Sequence, residues 1–276
     1  MSSLTYQSLS KHPRCFQNLT GLSLQEFAEM REKVRPAYLI WEGKKKGSGR
    51  PSGFVSFEDK LLCLMMYYRT YITHTFLGYL FGVHNANVCR LFKVLEPMVA
   101  RSVSIKKDRT LTQDKVMAIL ADVTEIPTQR PKKKQKDKYS GKKKRHTLKC
   151  ELGMREDGKI IHVSKVHGGR THDFTIRKKE KPFCRESAKV VDSGFQGLQK
   201  REQNVWLPFK GTKKKPLTQE QKQHNKALAS LRVKIENKIG QIKIFKIASE
   251  RYRNFQKKLH MRLNILVGVV NMKHGF

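Results

Sequence analysis

Lys115-Val-Met-Ala-Ile-Leu-Ala-Asp-Val123 is an apolar run that meets an acid near its end, and Ala188-Lys-Val-Val-Asp192 repeats the pattern. Strands in the middle of an α/β sheet read as continuous apolar segments, and ligands bind beyond their ends. An unpaired carboxylate in that place costs free energy unless a cation compensates it. If the two strands are neighbours, Asp122 and Asp192 meet in an oxygen-rich corner of the kind that magnesium favours. Arg145 to Met154 and Lys159 to His167 read as two further strands, joined by Arg155-Glu-Asp-Gly158, whose Asp-Gly is a hairpin signal. Asn204 to Phe209 is a fifth, Leu217 to Ala248 one long helix, and Arg251 to Met272 a last helix. A hairpin followed by strand–helix alternation predicts a mixed α/β sheet.

The long helix supplies a third acid. Leu228, Leu231, Ile235, Ile239, Ile242 and Phe245 form its expected core stripe, and Arg232, Glu236 and Lys243 fall on one neighbouring face. Glu236 at the edge of that stripe is placed to reach a sheet-end site. Alone, Arg232 and Glu236 would read as a surface ion pair worth only ~0.3–0.5 kcal/mol; with Asp122 and Asp192 they read as part of a site. Glu125, three residues past Asp122, points to the other face of an extended segment and ranks lower. Asp173 reads as a helix N-cap before Phe174.

Upstream, the periodicity is helical. Leu22, Leu24, Phe27, Met30 and Val34 mark a first helix, and Gly43 to Pro51 reads as a basic hinge. Ser56-Phe-Glu-Asp59 is a capping sequence for a helix that buries Leu61, Leu62, Met65, Met66 and Tyr68. Thr75 to His84 forms a short helix ending near Gly82, and a second helix runs from about Asn85 to stop before Pro97. Short helix, glycine turn and second helix outline a helix-turn-helix. Its packing residues are Leu77, Leu80, Phe81, Val83, Val88 and Leu91. Asn85, Asn87, Arg90 and Lys93 then lie on the exposed face, with side chains suited to base edges in a major groove.

The charge selects the partner. Across 276 residues, 58 Lys and Arg face 23 Asp and Glu, a net +35, which points to a polyanion. Residues 1–110 carry +9 of this and the remainder +26. Eleven basic residues against one acid lie between Arg130 and Lys149, with Tyr139-Ser140-Gly141 among them, and this run reads as a phosphate-facing loop. The longest apolar stretch, Leu263 to Val270, is far short of the ~20 residues that cross a bilayer. No signal peptide is evident, and the five cysteines lack C-x-x-C spacing and read as reduced, buried thiols. The expected location is the bacterial cytoplasm, associated with the nucleoid.

Taken in order, these residues resemble a family. The matching pieces are Asp122-Val-Thr-Glu-Ile-Pro-Thr-Gln-Arg-Pro131, Tyr139-Ser-Gly-Lys-Lys-Lys-Arg-His-Thr-Leu-Lys149, His172-Asp173 and Val191-Asp-Ser-Gly-Phe-Gln-Gly197. The Arg-x3-Glu-x6-Lys signature at Arg232, Glu236 and Lys243 completes them. The chain resembles insertion-sequence transposases of the DDE superfamily, in the branch similar to Harbinger-type transposases, from about residue 20 to its end. It departs from the family at Ala229, where the signature usually has a tyrosine, and more mildly at Ser193 and Phe195.

The resemblance implies an α/β fold of the RNase H-like kind, a mixed sheet flanked by helices and preceded by an all-α helix-turn-helix domain. Residues 1–110, with the helix-turn-helix at about 56–96, would form the DNA-binding region, and residues 111–276 the catalytic domain. It implies an acidic triad of Asp122, Asp192 and Glu236 holding two Mg2+ ions, or Mn2+, for DNA cleavage and strand transfer. Lys142, Lys143, Lys144, Arg145, Arg232 and Lys243 would hold the phosphate backbone. The partners would be double-stranded transposon ends and target DNA, with a homodimer or larger assembly on the DNA. Two alternatives are weighed beside it. One is a catalytically inactive, transposase-derived DNA-binding protein; the other is a basic RNA-binding or ribosome-associated protein, which leaves the three acids unexplained.

Overall fold

The computed structural model describes residues 4–44, 52–103, 105 and 117–276. Two units emerge: Met1–Ser104 with Lys243–Glu250 and Met261–Gly275, and Ile105–Ile242 with Arg251–His260. Within the first lie α1 (Tyr6–Leu9), α2 (Pro13–Thr20), α3 (Leu24–Gly43), α4 (Phe57–Thr70), α5 (His74–Leu80) and α6 (Asn85–Val103).

Helix α4 is the centre of this helical unit. Ser56 Oγ accepts from the Asp59 N–H at 3.0 Å and the Asp59 carboxylate accepts from the Ser56 N–H at 3.1 Å, the reciprocal cap expected from the sequence. Every residue from Asp59 to Tyr68 is buried, so α4 has no solvent face rather than one apolar stripe. The hinge expected at Gly43 to Pro51 begins inside α3, and residues 45–51 lie outside the described residues.

Helices α5 and α6 form the helix-turn-helix. A side chain on Gly78 would run into the Val83 carbonyl, so this glycine sets how closely the turn folds back. Leu77, Phe81 and Val88 are buried, whereas Leu80, Val83 and Leu91 are half-buried. Helix α6 does not stop before Pro97; it continues to Val103 with the proline inside. Proline removes one backbone donor and strains a helix interior. Burial of Leu95, Val99 and Val103 along one stripe spanning Pro97 offsets that loss.

The second unit is built on a mixed sheet: β1 (Ala118–Pro127), α7 (Gln135–Lys138), β2 (Tyr139–Ser140), β3 (Arg145–Arg155), β4 (Ile160–Val163), β5 (His167–Gly168), α8 (Asp173–Lys179), β6 (Ala188–Val191), β7 (Val205–Trp206) and α9 (Gln219–Lys243). Strand β1 is antiparallel to β3 and parallel to β6, β4 is antiparallel to β3, and β7 is parallel to β6. The order β4-β3-β1-β6-β7 is the RNase H-like arrangement. Ala121, Val191, Phe195, Leu198 and Leu207 form a buried cluster beside the paired ends of β1 and β6.

Several boundaries differ from the sequence reading. The single strand expected from Lys159 to His167 is two short strands on β3, with a register shift at Gly153/Met154. Helix α9 ends at Lys243 rather than Ala248, and Leu231 is 41% exposed rather than core. The last helix, α10 (Leu259–Met272), starts later than Arg251, because the Tyr252 N–H donates to the Pro127 carbonyl at 2.8 Å as an extension of the sheet. Of the cysteines, only Cys63 and Cys150 are buried; Cys15 is exposed, and Cys89 and Cys184 are half-buried. All five are free thiols. No helix among the described residues is long and apolar enough to cross a membrane.

Candidate active site

Pairing between β1 and β6 stops at Ala121↔Val191, while pairing between β1 and β3 continues to Pro127↔Thr147. Asp122 therefore lies in mid-strand, not at a strand end as its sequence suggested, but at the step where the parallel neighbour runs out. Asp192 is the first residue past β6. The corner expected from two strand ends is formed by one strand end and one ladder end.

Asp122 is partly buried, and its carboxyl is pushed up to about 6, first by burial. The Val123 N–H, donating to Oδ1 at 2.8 Å, opposes this; the charges of Asp192 and Glu236 reinforce it, and Arg232 works against it. Asp192 Oδ1 accepts from the Gly194 N–H at 2.6 Å, which folds the chain into a 3₁₀ turn directly after the strand. Glu236 comes from α9, where its carboxylate takes an Arg232 Nη2 donor at 3.2 Å and its side chain is 51% exposed. Arg232 keeps its Nε buried with no acceptor among the described residues. Lys243 ends α9, about two turns beyond Glu236.

Asp192 and Glu236 are near enough to raise the cost of charging Asp122, yet each of the three acids also takes a local partner. Among the described residues, no group of three or more His, Cys, Asp or Glu side chains is arranged so that it could hold a metal ion. The donor set nonetheless fits a hard divalent cation. It consists of carboxylate oxygens alone, and the like charges that disfavour ionised Asp122 are those a dication between them would relieve.

A fourth acid stands beside them. Asp173 is the first residue of α8, not its N-cap, which is His172. A Cβ on Gly194 would lie 2.7 Å from Asp173 Oδ2 and 2.9 Å from Asp192 Oδ1, so only glycine leaves room where these two carboxylates approach. Lys149 on β3 fixes Asp173 by a 3.0 Å ion pair and also donates to the Thr171 carbonyl at 3.1 Å. Arg177, one turn on in α8, is fully buried against Glu151 of β3 at 2.5 Å and pins the helix to the sheet. The adjacent His172-Asp173 pair in the sequence held the signal, but only the fold turns the aspartate toward Asp192. Glu125 faces elsewhere and accepts from the Thr147 hydroxyl.

Of the side chains expected from the sequence to face DNA, Arg232 and Lys243 lie on α9 and the others fall on two surfaces. Asn85, Asn87, Arg90 and Lys93 are all exposed on the first half of α6, with Arg90 donating to Asn87 Oδ1 at 3.0 Å. Lys142, Lys143, Lys144 and Arg145 are exposed at the tip of the β2–β3 hairpin, where Lys144 takes a left-handed φ of 52°.

Comparisons with known proteins agree with this architecture. Residues 121–271 match the family of DDE superfamily endonucleases, and residues 54–105 match the helix-turn-helix of DDE superfamily endonucleases. The chain is 35% identical over 264 residues to a probable transposase for insertion sequence element IS702 from Microchaete diplosiphon, with 94% of each chain covered. No solved structure matches significantly. A sheet of RNase H-like order, acids gathered where β6 ends, a helix-turn-helix and a relative matching nearly end to end lead to one assignment: the chain belongs to the DDE superfamily of endonucleases, among the insertion-sequence transposases.

Proposed function

We propose that this transposase binds the terminal repeats of an insertion sequence and cuts and rejoins DNA at a site formed by Asp122, Asp192 and Glu236. The observation that carries the reading is the pairing step between β1 and β6, which supports two carboxylates side by side with a third on α9. Residues 1–110 would serve DNA recognition and residues 111–276 catalysis. Asn85, Asn87, Arg90 and Lys93 would read base edges from α6 in the major groove. Lys142, Lys143, Lys144 and Arg145, with Arg232 and Lys243, would grip phosphates and offset charge that builds on them as the phosphodiester is attacked. The buried Arg232 Nε, without an acceptor among the described residues, supports a phosphate oxygen as its partner.

Asp122, Asp192 and Glu236 would hold Mg2+ or Mn2+, as two ions. When bound, these ions polarise the scissile phosphate and lower the pKa of an attacking water or 3′-hydroxyl. The carboxylates orient the reacting oxygens and carry no covalent bond to DNA, so one site can serve both hydrolysis of an end and its joining to a target. Two ends must meet one target, so the working form would be a homodimer or larger assembly on DNA in a bacterial nucleoid.

The test is incubation with DNA carrying the element's own ends and magnesium, with products mapped at nucleotide resolution. Cuts at the repeat ends that vanish with EDTA are expected. Tight, repeat-specific binding without any cutting would favour the inactive DNA-binding reading instead.

A further inference from the structure

The β2–β3 hairpin presents a second surface at its base. Tyr139 and His146 are directly opposed across the two strands, with ring centroids 5.6 Å apart and planes at 75°. Two rings at that angle make a corner in which a flat heterocycle can lie against one face and meet the edge of the other. Tyr139 is 43% exposed, so its ring is available. Around this corner is a cleft of about 670 Å³ that also takes in Arg130, Lys136 and Arg170. Arg130 is steadied by donating Nε–H to Gln135 Oε1 at 2.9 Å, and neither Lys136 nor Arg170 has a carboxylate partner among the described residues. The walls are braced by backbone. The Arg170 N–H donates to the Asp137 carbonyl at 3.3 Å, and a side chain on Gly168 would collide with that same carbonyl.

We propose that this cleft is a nucleotide subsite that holds one unstacked nucleotide of the DNA substrate, its base against Tyr139 and His146 and its phosphate among Arg130, Lys136 and Arg170. The inference rests on the reading of the chain as acting on DNA and adds a state of that DNA. Inorganic phosphate needs the cations but not the rings. Duplex DNA needs the cations too, but its base faces are covered by their neighbours and reach an aromatic ring only after leaving the stack. Along the sheet, Asp122 is five residues from Pro127, which pairs with Thr147 next to His146. At ~3.3 Å per residue this is about 17 Å, or about five nucleotide steps of B-form DNA. The unstacked base therefore belongs a few nucleotides from the scissile phosphate.

The test uses the full chain and fluorescence anisotropy with three probes: a blunt duplex, the same duplex with a single-stranded thymine tail, and one whose tail is abasic. The thymine tail should bind about tenfold tighter than the abasic tail. Tyr139→Ala should erase that difference and lower thymine-tail affinity more than blunt-duplex affinity, and Tyr139→Phe should retain the difference. Arg170→Gln should weaken both tailed probes more than the blunt one. Equal binding of the two tails by the wild type would overturn the subsite, as would a Tyr139→Ala loss equal on all three probes. Magnesium-dependent nicking is scored separately. Nicking without tail discrimination sinks the subsite alone, and discrimination without nicking leaves the subsite and sinks the nuclease.

Discussion

Glu96 in the helical unit and Asp122 in the sheet unit are both carboxylates withdrawn from water, and their surroundings answer the charge in opposite ways. Glu96 is fully buried, accepts from Arg262 Nε at 2.7 Å and from the Tyr68 hydroxyl at 3.2 Å, and so ties α4, α6 and α10 together. Asp122 is less deeply buried, and its neighbours include two more acids. Glu151 lies between these cases: its cation, Arg177, is also approached by Glu202 at 3.7 Å, and burial pushes the Glu151 carboxyl up to about 7. A buried acid matched by a cation is architecture. One crowded by other acids is held against its own electrostatics, and a divalent cation is the partner that would repay the arrangement.

The comparison breaks most visibly at Asp122. Asp122→Asn should lower DNA cleavage by roughly 10³-fold or more, since acids acting as a unit fail together, while thermal melting stays level or rises. A gel assay of end cleavage beside a melting curve checks both halves. Removing the other kind of acid should do the reverse. Glu96→Ala takes the carboxylate away from the buried Arg262 guanidinium and should cost about 3–5 kcal/mol in urea unfolding.

Glu151 sharpens the middle case through pH. Its folded-state pKa is raised, so the native protein binds this proton more tightly than the unfolded chain does. Its contribution to stability is full below the ordinary glutamate range and is lost as pH rises through about 7. Wild type should therefore lose stability across that window relative to Glu151→Gln, as urea midpoints measured along a pH series would reveal. The smallest effects belong to the surface. Arg90→Ala should cost about 1–3 kcal/mol on the cognate repeat and relax specificity, whereas Lys143→Ala should weaken all duplexes alike and lower the salt slope by about one. Binding titrations at several salt concentrations separate the two.

How much of this could be read from sequence depends on the range of the interaction. The Ser56–Asp59 cap and the α5–α6 turn are set within a few residues, and both formed as expected. Where tertiary pairing competes with local signals the sequence misleads. Pro97 announces a helix end, but the buried stripe around it carries α6 on to Val103. Asp122 looks like a strand terminus because the apolar run stops there; pairing with β3, invisible in the run itself, extends β1 to Pro127. Asp173 shows the same limit at the site. Its sequence neighbours suggest a cap, and only Lys149 and Gly194, far away along the chain, place it near Asp192.

The most direct measurement is a Mn2+ titration of the DNA-bound protein, with free ion followed by electron paramagnetic resonance. Wild type should take up Mn2+, and Asp122→Asn, Asp192→Asn and Glu236→Gln should each lose that uptake while still binding DNA. Wild-type uptake in the Glu236→Gln variant would contradict the account, because α9 would then contribute nothing to the ion site.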